Sequence, residues 1–419
     1  MNLLERRTRA MGPVYELFYD DPVHLVRGEG IWLYDADGCK YLDCYNNVAS
    51  VGHCHPDVVA ALAGQAATLN TNTRYLYENV IELSEKIASK MPGNLSVCMF
   101  VCTGTEANDL ATRIARAVTG NYGMLVSEYG YHGNSTLVYA LSTADSDERP
   151  DWLSVFEPPC LYRPAFNGGD PVESYIGSVR DAIAGLDQKG YKPAGIMIDS
   201  IFDSQGTIVV PDGYFREVYG MVRDGGGLVI ADEVQAGYCR TGDYWWGFEH
   251  DGVVPDIVTL GKPMGDGHPL AAVVTTPEIA GIIADRLTYF NTFGGNPVSA
   301  AVGKAVIDVI DRENILENVT SVGAFTKQEL QKLGDKYEAI GDVRGRGLFL
   351  SVDLVSDPAA KTPDADAAHR MVNMMKDEGV LISTHGRHGN VLKIRPPMVF
   401  SRDNADQLLA ALDGCLGRL

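Results

Sequence analysis

Apolar residues in this chain fall into two textures. Between residues 97 and 262 they gather in short unbroken runs: Val97-Cys98-Met99-Phe100-Val101, Gly123 to Ser127, Gly195-Ile196-Met197-Ile198-Asp199, Leu228-Val229-Ile230-Ala231 and Ile257-Val258-Thr259-Leu260. Runs apolar at consecutive rather than alternate positions predict strands buried on both faces, as in parallel sheets. Helical stretches separate them, from Thr103–Asn108 to about Val118, over about 172–188, and over Tyr214–Arg223. Strands alternating with helices predict an α/β unit with right-handed crossovers.

The second texture flanks the first. Ile31-Trp32-Leu33-Tyr34 and Tyr41-Leu42-Asp43 are joined through Asp37-Gly38 and predict a β-hairpin. Helices are expected from about Asp57, over 79–90, where Ile81, Leu83, Ile87 and Ala88 share a side, and from Thr292–Pro297 to about Val309. Beyond that lie a strand region at Ile340–Val355 punctuated by Gly345 and Gly347, a helix over about 364–378, a strand ending at Val391–Pro397, and a last helix over about 402–417. This divides the chain into a large domain (51–310) and a smaller α+β domain (311–419), joined by an N-terminal segment (1–50).

Charge narrows the function. A formal net charge of −20 argues against nucleic-acid binding and against attraction to anionic membranes. An anionic ligand then needs a local pocket of donors, because the overall field repels it. No apolar run approaches the roughly 20 residues of a membrane helix, and Met1–Arg7 lacks the hydrophobic core of a signal peptide, so a cytoplasmic location is expected. The eight cysteines form no CxxC pair and are expected to be reduced and mostly buried. His53, Cys54 and His55 lie close together, but without a fourth ligand they read as a structural turn rather than a metal site, and no metal is expected.

In open α/β sheets ligands bind at the carboxyl ends of strands. Two of the apolar runs end on Asp232 and on Gly261-Lys262, delivering a carboxylate and an amine to the same rim. Asp232 has a bland reading as a helix cap, and a lone Lys is usually solvated. Burial changes both: it lowers a lysine pKa, leaving an amine that condenses with an aldehyde, and it makes a carboxylate demand a cationic or hydrogen-bonding partner. That pairing suits pyridoxal phosphate (PLP), with Lys262 as Schiff-base lysine and Asp232 facing the ring nitrogen. Gly104 and Thr105 sit where strand turns into helix, an anion site for the cofactor phosphate. Tyr131 is a candidate to lie flat on the ring or, alternatively, core. Arg395 reads either as a clamp for a substrate carboxylate or as a surface residue. A nicotinamide-binding reading fails on order: Gly225-Gly226-Gly227 precedes a strand, and Gly345-x-Gly347 lacks a third glycine.

Over essentially its whole length the chain resembles the class III aminotransferases. The matching stretches are Gly52-His53-Cys54-His55-Pro56, Thr103–Asn108, Tyr131-His132-Gly133, Ala231–Gln235, Gly261-Lys262 and Asn291–Pro297. The resemblance implies an α/β fold of PLP fold type I, a large domain with a mostly parallel seven-stranded sheet beside the smaller α+β domain. It implies Lys262 and Asp232 as catalytic residues. It also implies cofactor contacts from Gly104, Thr105, Tyr131, His132 and Gln235, with Thr292 reaching over from a second subunit of a homodimer or tetramer. Within the family, Tyr41–Ala49, Asn70–Leu76, Gly261–Pro269 and Val391–Met398 are most similar to the phospho-lyases that act on O-phosphoethanolamine or phosphohydroxylysine. Arg395, Arg74 and Asn47 are the implied substrate contacts. Amino transfer between a small amine or amino acid and a 2-oxo acid, and phosphate elimination from a phosphorylated amino alcohol, are the two activities implied. Three positions depart from the family's patterns: Asp199 replaces a usual Glu, Arg395 replaces the lyases' Lys, and Ser204 stands where many transaminases carry an acid that masks the substrate-binding Arg.

Overall fold

The structure is a computed structural model and describes residues 2–419. In chain order its strands are β1 (Leu25–Glu29), β2 (Trp32–Asp35), β3 (Lys40–Asp43), β4 (Val97–Val101), β5 (Gly123–Ser127), β6 (Leu153–Phe156), β7 (Pro193–Asp199) and β8 (Leu228–Asp232). They continue with β9 (Ile257–Leu260), β10 (Ala271–Thr275), β11 (Ile340–Arg346), β12 (Phe349–Asp357), β13 (Thr362–Pro363), β14 (Val380–Leu381), β15 (Ser383–His385) and β16 (Val391–Ile394). The unbroken apolar runs form one seven-stranded sheet in the order β4-β10-β9-β8-β7-β5-β6. Only β10 runs against its neighbours, pairing antiparallel with both β4 and β9, so the sheet is mostly parallel. All residues of β5, β7, β9 and β10 are buried.

Successive residues face opposite layers, which explains why the runs are apolar throughout. Met124, Met197 and Ile230 pack with Ala107, Leu110, Ala111 and Ile114 of the helix Gly104–Thr119. Their neighbours Leu125, Ile196, Ile198 and Val229 pack on the other face against the helices Pro171–Gln188 and Tyr214–Asp224. The carboxyl ends of β4, β5, β7, β8 and β9 therefore share one rim. In register, Asp199 stands opposite Asp232, and Asp232 opposite Thr259.

The hairpin forms as β2 and β3, with Trp32 opposite Leu42, and its sheet is completed by β14 lying parallel to β3. N-terminal strands thus pair with the C-terminal part of the chain, whose own sheet runs β11-β12-β16-β15. Arg163 grips the fully buried Asp353 of β12 through two contacts of 2.6 Å, tying the region after β6 to this smaller lobe.

Several elements differ from expectation. The Pro-rich stretch 150–171, read as irregular, contains β6, whose four residues are too few for a clear pattern. β10 and the 22-residue helix Ile315–Lys336 were not anticipated. That helix mixes apolar and charged residues evenly and buries only Ile315, Val319, Val322, Gly323, Thr326 and Leu330, a thin stripe. The cysteines are all unpaired; Cys44, Cys239 and Cys415 are buried, Cys39 and Cys54 exposed, and the rest half-buried. His53 Nε2 lies 2.6 Å from Asp43 Oδ2, while His55 Nδ1 caps the helix Pro56–Ala66 and its Nε2 meets Glu313. Among the described residues no helix is long and apolar enough to cross a membrane.

Candidate active site

The shared rim lines a cavity, open to solvent, in which Gly104, Thr105, Tyr131, His132, Asp232, Gln235 and Lys262 converge. Each arrives for a local reason. Thr103 caps the helix Gly104–Thr119 by accepting the Glu106 N–H, and the Glu106 carboxylate accepts the Thr103 N–H in return. The N–H groups of Gly104 and Thr105 in that first turn have no intrahelical partner and lie beside the cavity, with the positive end of the helix dipole behind them. Gly133 (φ +135°) folds over them; a Cβ there would come 2.6 Å from Thr105 Oγ1, so the close approach requires glycine.

Asp232 ends β8 and is held on both oxygens. Oδ1 accepts the Val234 N–H at 3.1 Å. Oδ2 accepts the Asn108 amide at 2.8 Å and lies 2.7 Å from His132 Nδ1. Because the carboxylate only accepts, that ring nitrogen carries the proton. His132 is itself fixed by the Ser142 hydroxyl, which accepts its backbone N–H at 2.9 Å. His132, named from its motif as a cofactor contact, therefore also supports Asp232 from behind. Asn108, with no role assigned from sequence, does the same.

Lys262 follows β9 at the start of a single 3₁₀ turn. Burial and then the nearby Arg395 guanidinium hold its amine below the ordinary lysine range, against the pull of Asp232, Asp203 and Asp199. Asp199, at the end of β7, accepts the N–H groups of Ile201 (3.1 Å) and Asp203 (2.8 Å). Burial, then Asp203 and Asp232, push its carboxyl up to about 7. Tyr131 remains 40% exposed along one wall, and Val234 lines the same cavity.

The far wall is where the structure corrects the sequence. Arg395 is 2% exposed, so it is not a surface residue. Nor is it without an acidic partner, as Ser204 suggested: the carboxylate comes one residue earlier, from Asp203, whose Oδ2 accepts Arg395 Nη1 at 3.3 Å and Lys393 Nζ at 3.0 Å. Gln235 joins this wall to the cavity. Its amide donates to Asp203 Oδ2 at 2.8 Å, and its oxygen accepts Arg395 Nη1 (2.7 Å) and the Asn47 amide (2.6 Å). Asn47 is thus spent on Gln235. Two expected contacts lie away from the cavity in this chain: Thr292 is exposed, and Arg74 sits over the Phe290 ring, 4.0 Å from its centroid.

A parallel-sheet rim presenting a recessed amine, an anchored carboxylate and an anion cradle defines a cofactor-dependent enzyme of the PLP type. The profile of the family described as aminotransferase class-III matches residues 18–416, and the chain belongs to that family. It is 42% identical over 426 residues to the alanine–glyoxylate aminotransferase 2-like protein of Drosophila melanogaster, covering 99% of this chain and 86% of that one. It is similar to a solved phospholyase from Arthrobacter in complex with phosphoethanolamine (41% identity, TM-score 0.96, all of both chains). It is also similar to an amine transaminase from an uncultivated Pseudomonas species in its PLP-bound form (27% identity, TM-score 0.86, 95% of both chains). The residues present fit PLP: donors for a phosphate at Gly104 and Thr105, a fixed carboxylate for a ring nitrogen, an amine for the aldehyde, and flanking walls at Tyr131 and Val234.

Proposed function

We propose that this enzyme uses PLP to transfer an amino group between a small amine or amino acid and a 2-oxo acid. The observation that carries the reading is the placement of Lys262, Asp232 and, behind Gln235, Arg395 around one cavity. PLP supplies an aldehyde that condenses with amines and a ring that takes up the charge left when the adjacent carbon loses its proton. Asp232, kept acceptor-only by Asn108, His132 and the Val234 N–H, holds a proton on the ring nitrogen. Gly104 and Thr105 anchor the phosphate through their N–H groups, and Tyr131 flanks the ring. Lys262, whose amine burial holds below the ordinary lysine range, would hold the cofactor and then carry the proton taken from the substrate carbon. Arg395 receives the substrate carboxylate.

The reading includes a homodimer, with a tetramer allowed, in which Thr292 and Arg74 serve the neighbouring subunit's site. Support comes from the apolar side chains beside them: Leu76 is 97% and Phe293 69% exposed in the single chain. It also includes a cytoplasmic location and a division into 1–50 with 311–419 as the small domain and 51–310 as the large one.

Likeness to the Arthrobacter phospholyase supports a second reading, release of phosphate and ammonia from O-phosphoethanolamine or a related phosphorylated amino alcohol. The two separate in one experiment. Purified holoenzyme is given L-alanine or β-alanine with an oxo-acid acceptor, and in parallel phosphoethanolamine with no acceptor. Acceptor-dependent amino transfer is the expected result. Phosphate release without an acceptor, and no transfer, overturns the first reading in favour of the second.

A further inference from the structure

The wall behind Gln235 holds a carboxylate that no motif announced. Asp203 lies in the loop after β7, where Phe202 (φ +47°) and Thr207 (φ +60°) adopt left-handed backbone without being glycine. Such strain persists only where the surroundings enforce it. Here the smaller lobe does so: Arg344 Nε donates to the Gly206 and Thr207 carbonyls at 2.8 and 3.0 Å, and the Ser351 hydroxyl meets that of Thr207 at 2.9 Å. The loop so held delivers the Asp203 carboxylate, 2% exposed, into a cluster of cations. Its Oδ2 takes Lys393, Arg395 and Gln235, and its Oδ1 lies 3.1 Å from His385 Nδ1.

Charge at this wall is simple to add. Burial pushes the His385 imidazole down to about 4, so it is neutral near pH 7. Lys393, lowered by burial and Arg395 to about 8, keeps most of its charge there. Among the groups in direct contact with Asp203, two cations and one carboxylate leave a single positive charge uncancelled; beyond them the buried Arg240, beside Arg395, is offset by the nearby Asp43. Donors are also unused: Arg395 turns Nη1 to Asp203 and Gln235, while its Nη2 makes no hydrogen bond to the described residues and its Nε is buried with no partner. A buried donor without a partner is costly, and a ligand oxygen that reached this edge of the guanidinium would satisfy it.

We infer that Asp203 is a specificity-determining residue: by cancelling one of the two positive charges at this wall, it fits the site to a substrate whose far end carries one negative charge, a carboxylate, and disfavours a phosphate ester. A phosphate monoester carries about −1.5 to −2 at pH 7, more than the wall compensates. This rests on the reading that substrate enters the Lys262 cavity with its far end toward Arg395, but not on which reaction follows.

The test uses propionate and ethyl phosphate, which keep the two kinds of tail and lack the reactive amine, with binding to holoenzyme measured by calorimetry. The wild type should bind propionate at least about tenfold more tightly than ethyl phosphate, and Asp203→Asn should move that ratio at least about tenfold toward ethyl phosphate. The double variant Asp203→Asn with Lys393→Met restores the charge sum and should return to the wild-type preference. If Asp203→Asn does not fold, the wild type and the double variant decide. Tighter ethyl phosphate binding by either of these, or an unmoved ratio in a folded Asp203→Asn, overturns the inference. Turnover of β-alanine with pyruvate is followed separately: its absence sinks the proposed reaction without changing the binding ratio.

Discussion

At the Asp232 end of the cavity, every side-chain and backbone partner comes from elements of the seven-stranded sheet layer: Asn108 from the helix after β4, His132 from the loop after β5, Val234 from the turn after β8. At the Arg395 end the contacts cross between lobes, with Asp203 and Gln235 on one side and His385, Lys393 and Arg395 on the other. The first end is preorganised by a single sheet whose strands are buried on both faces. The second exists only while the lobes are docked. On the proposed reading, cofactor chemistry falls to the end built on one sheet, and substrate recognition to a seam that small changes in a loop can retune.

The largest expected effects break the first end alone. Lys262→Ala should lower kcat by about 10⁴-fold or more, since it removes both the attachment point and the proton carrier. Steady-state assays check this. Asp232→Asn should cost about 10²- to 10³-fold in kcat while the protein stays folded, because the fixed charge facing the ring is lost.

The seam should respond differently. Asp353→Asn weakens the Arg163 clasp between the lobes and the pair within the small sheet that orients Arg344 toward the Gly206 and Thr207 carbonyls, and should destabilise the protein by about 3 kcal/mol, read by urea denaturation. KM should rise more than kcat falls, because the Arg395 wall loosens while the Asp232 end stays in place. An equal loss at both ends would erase the contrast. His132→Phe removes one of the two side-chain donors to Asp232 and should cost about 1 kcal/mol, or roughly fivefold in kcat, with KM little changed.

The smallest effect on turnover is expected at Asp199, which shows instead in the pH dependence of stability. Its folded-state pKa of about 7 lies above the unfolded value of 3.8, so the native state keeps a proton that the unfolded chain releases. Its contribution to stability is full below the unfolded value and is lost as pH rises toward 7. Asp199→Asn should therefore gain stability relative to wild type as pH rises from 4 to 7, read in parallel denaturation series. His385 titrates in both proteins with the opposite sign, and the difference between them removes it.

Legibility in the sequence followed the same division. Strands buried on both faces left unbroken apolar runs, so β4, β5, β7, β8 and β9 were anticipated, and with them the rim carrying Asp232 and Lys262. β6 was lost in a Pro-rich stretch, and β10 because its short Ala-Ala-Val-Val run resembles helix or strand equally. Asp203 was missed for a geometric reason. Motif counting places a side chain by its offset from β7, whereas Phe202 and Thr207 turn the loop through left-handed backbone and bring the preceding position, not Ser204, to Arg395. Asn108 was visible in its motif but carried no signal of its role, since its partner Asp232 is met only through the fold.

On the proposed reading, Lys262 is the amine to which the cofactor attaches, opposite the carboxylate of Asp232. The most direct test is to mix the purified protein with PLP, reduce it with borohydride, and locate the modified peptide by mass spectrometry. One stoichiometric adduct on Lys262 is the expected result. An adduct on another lysine, or none at stoichiometric cofactor, would contradict it.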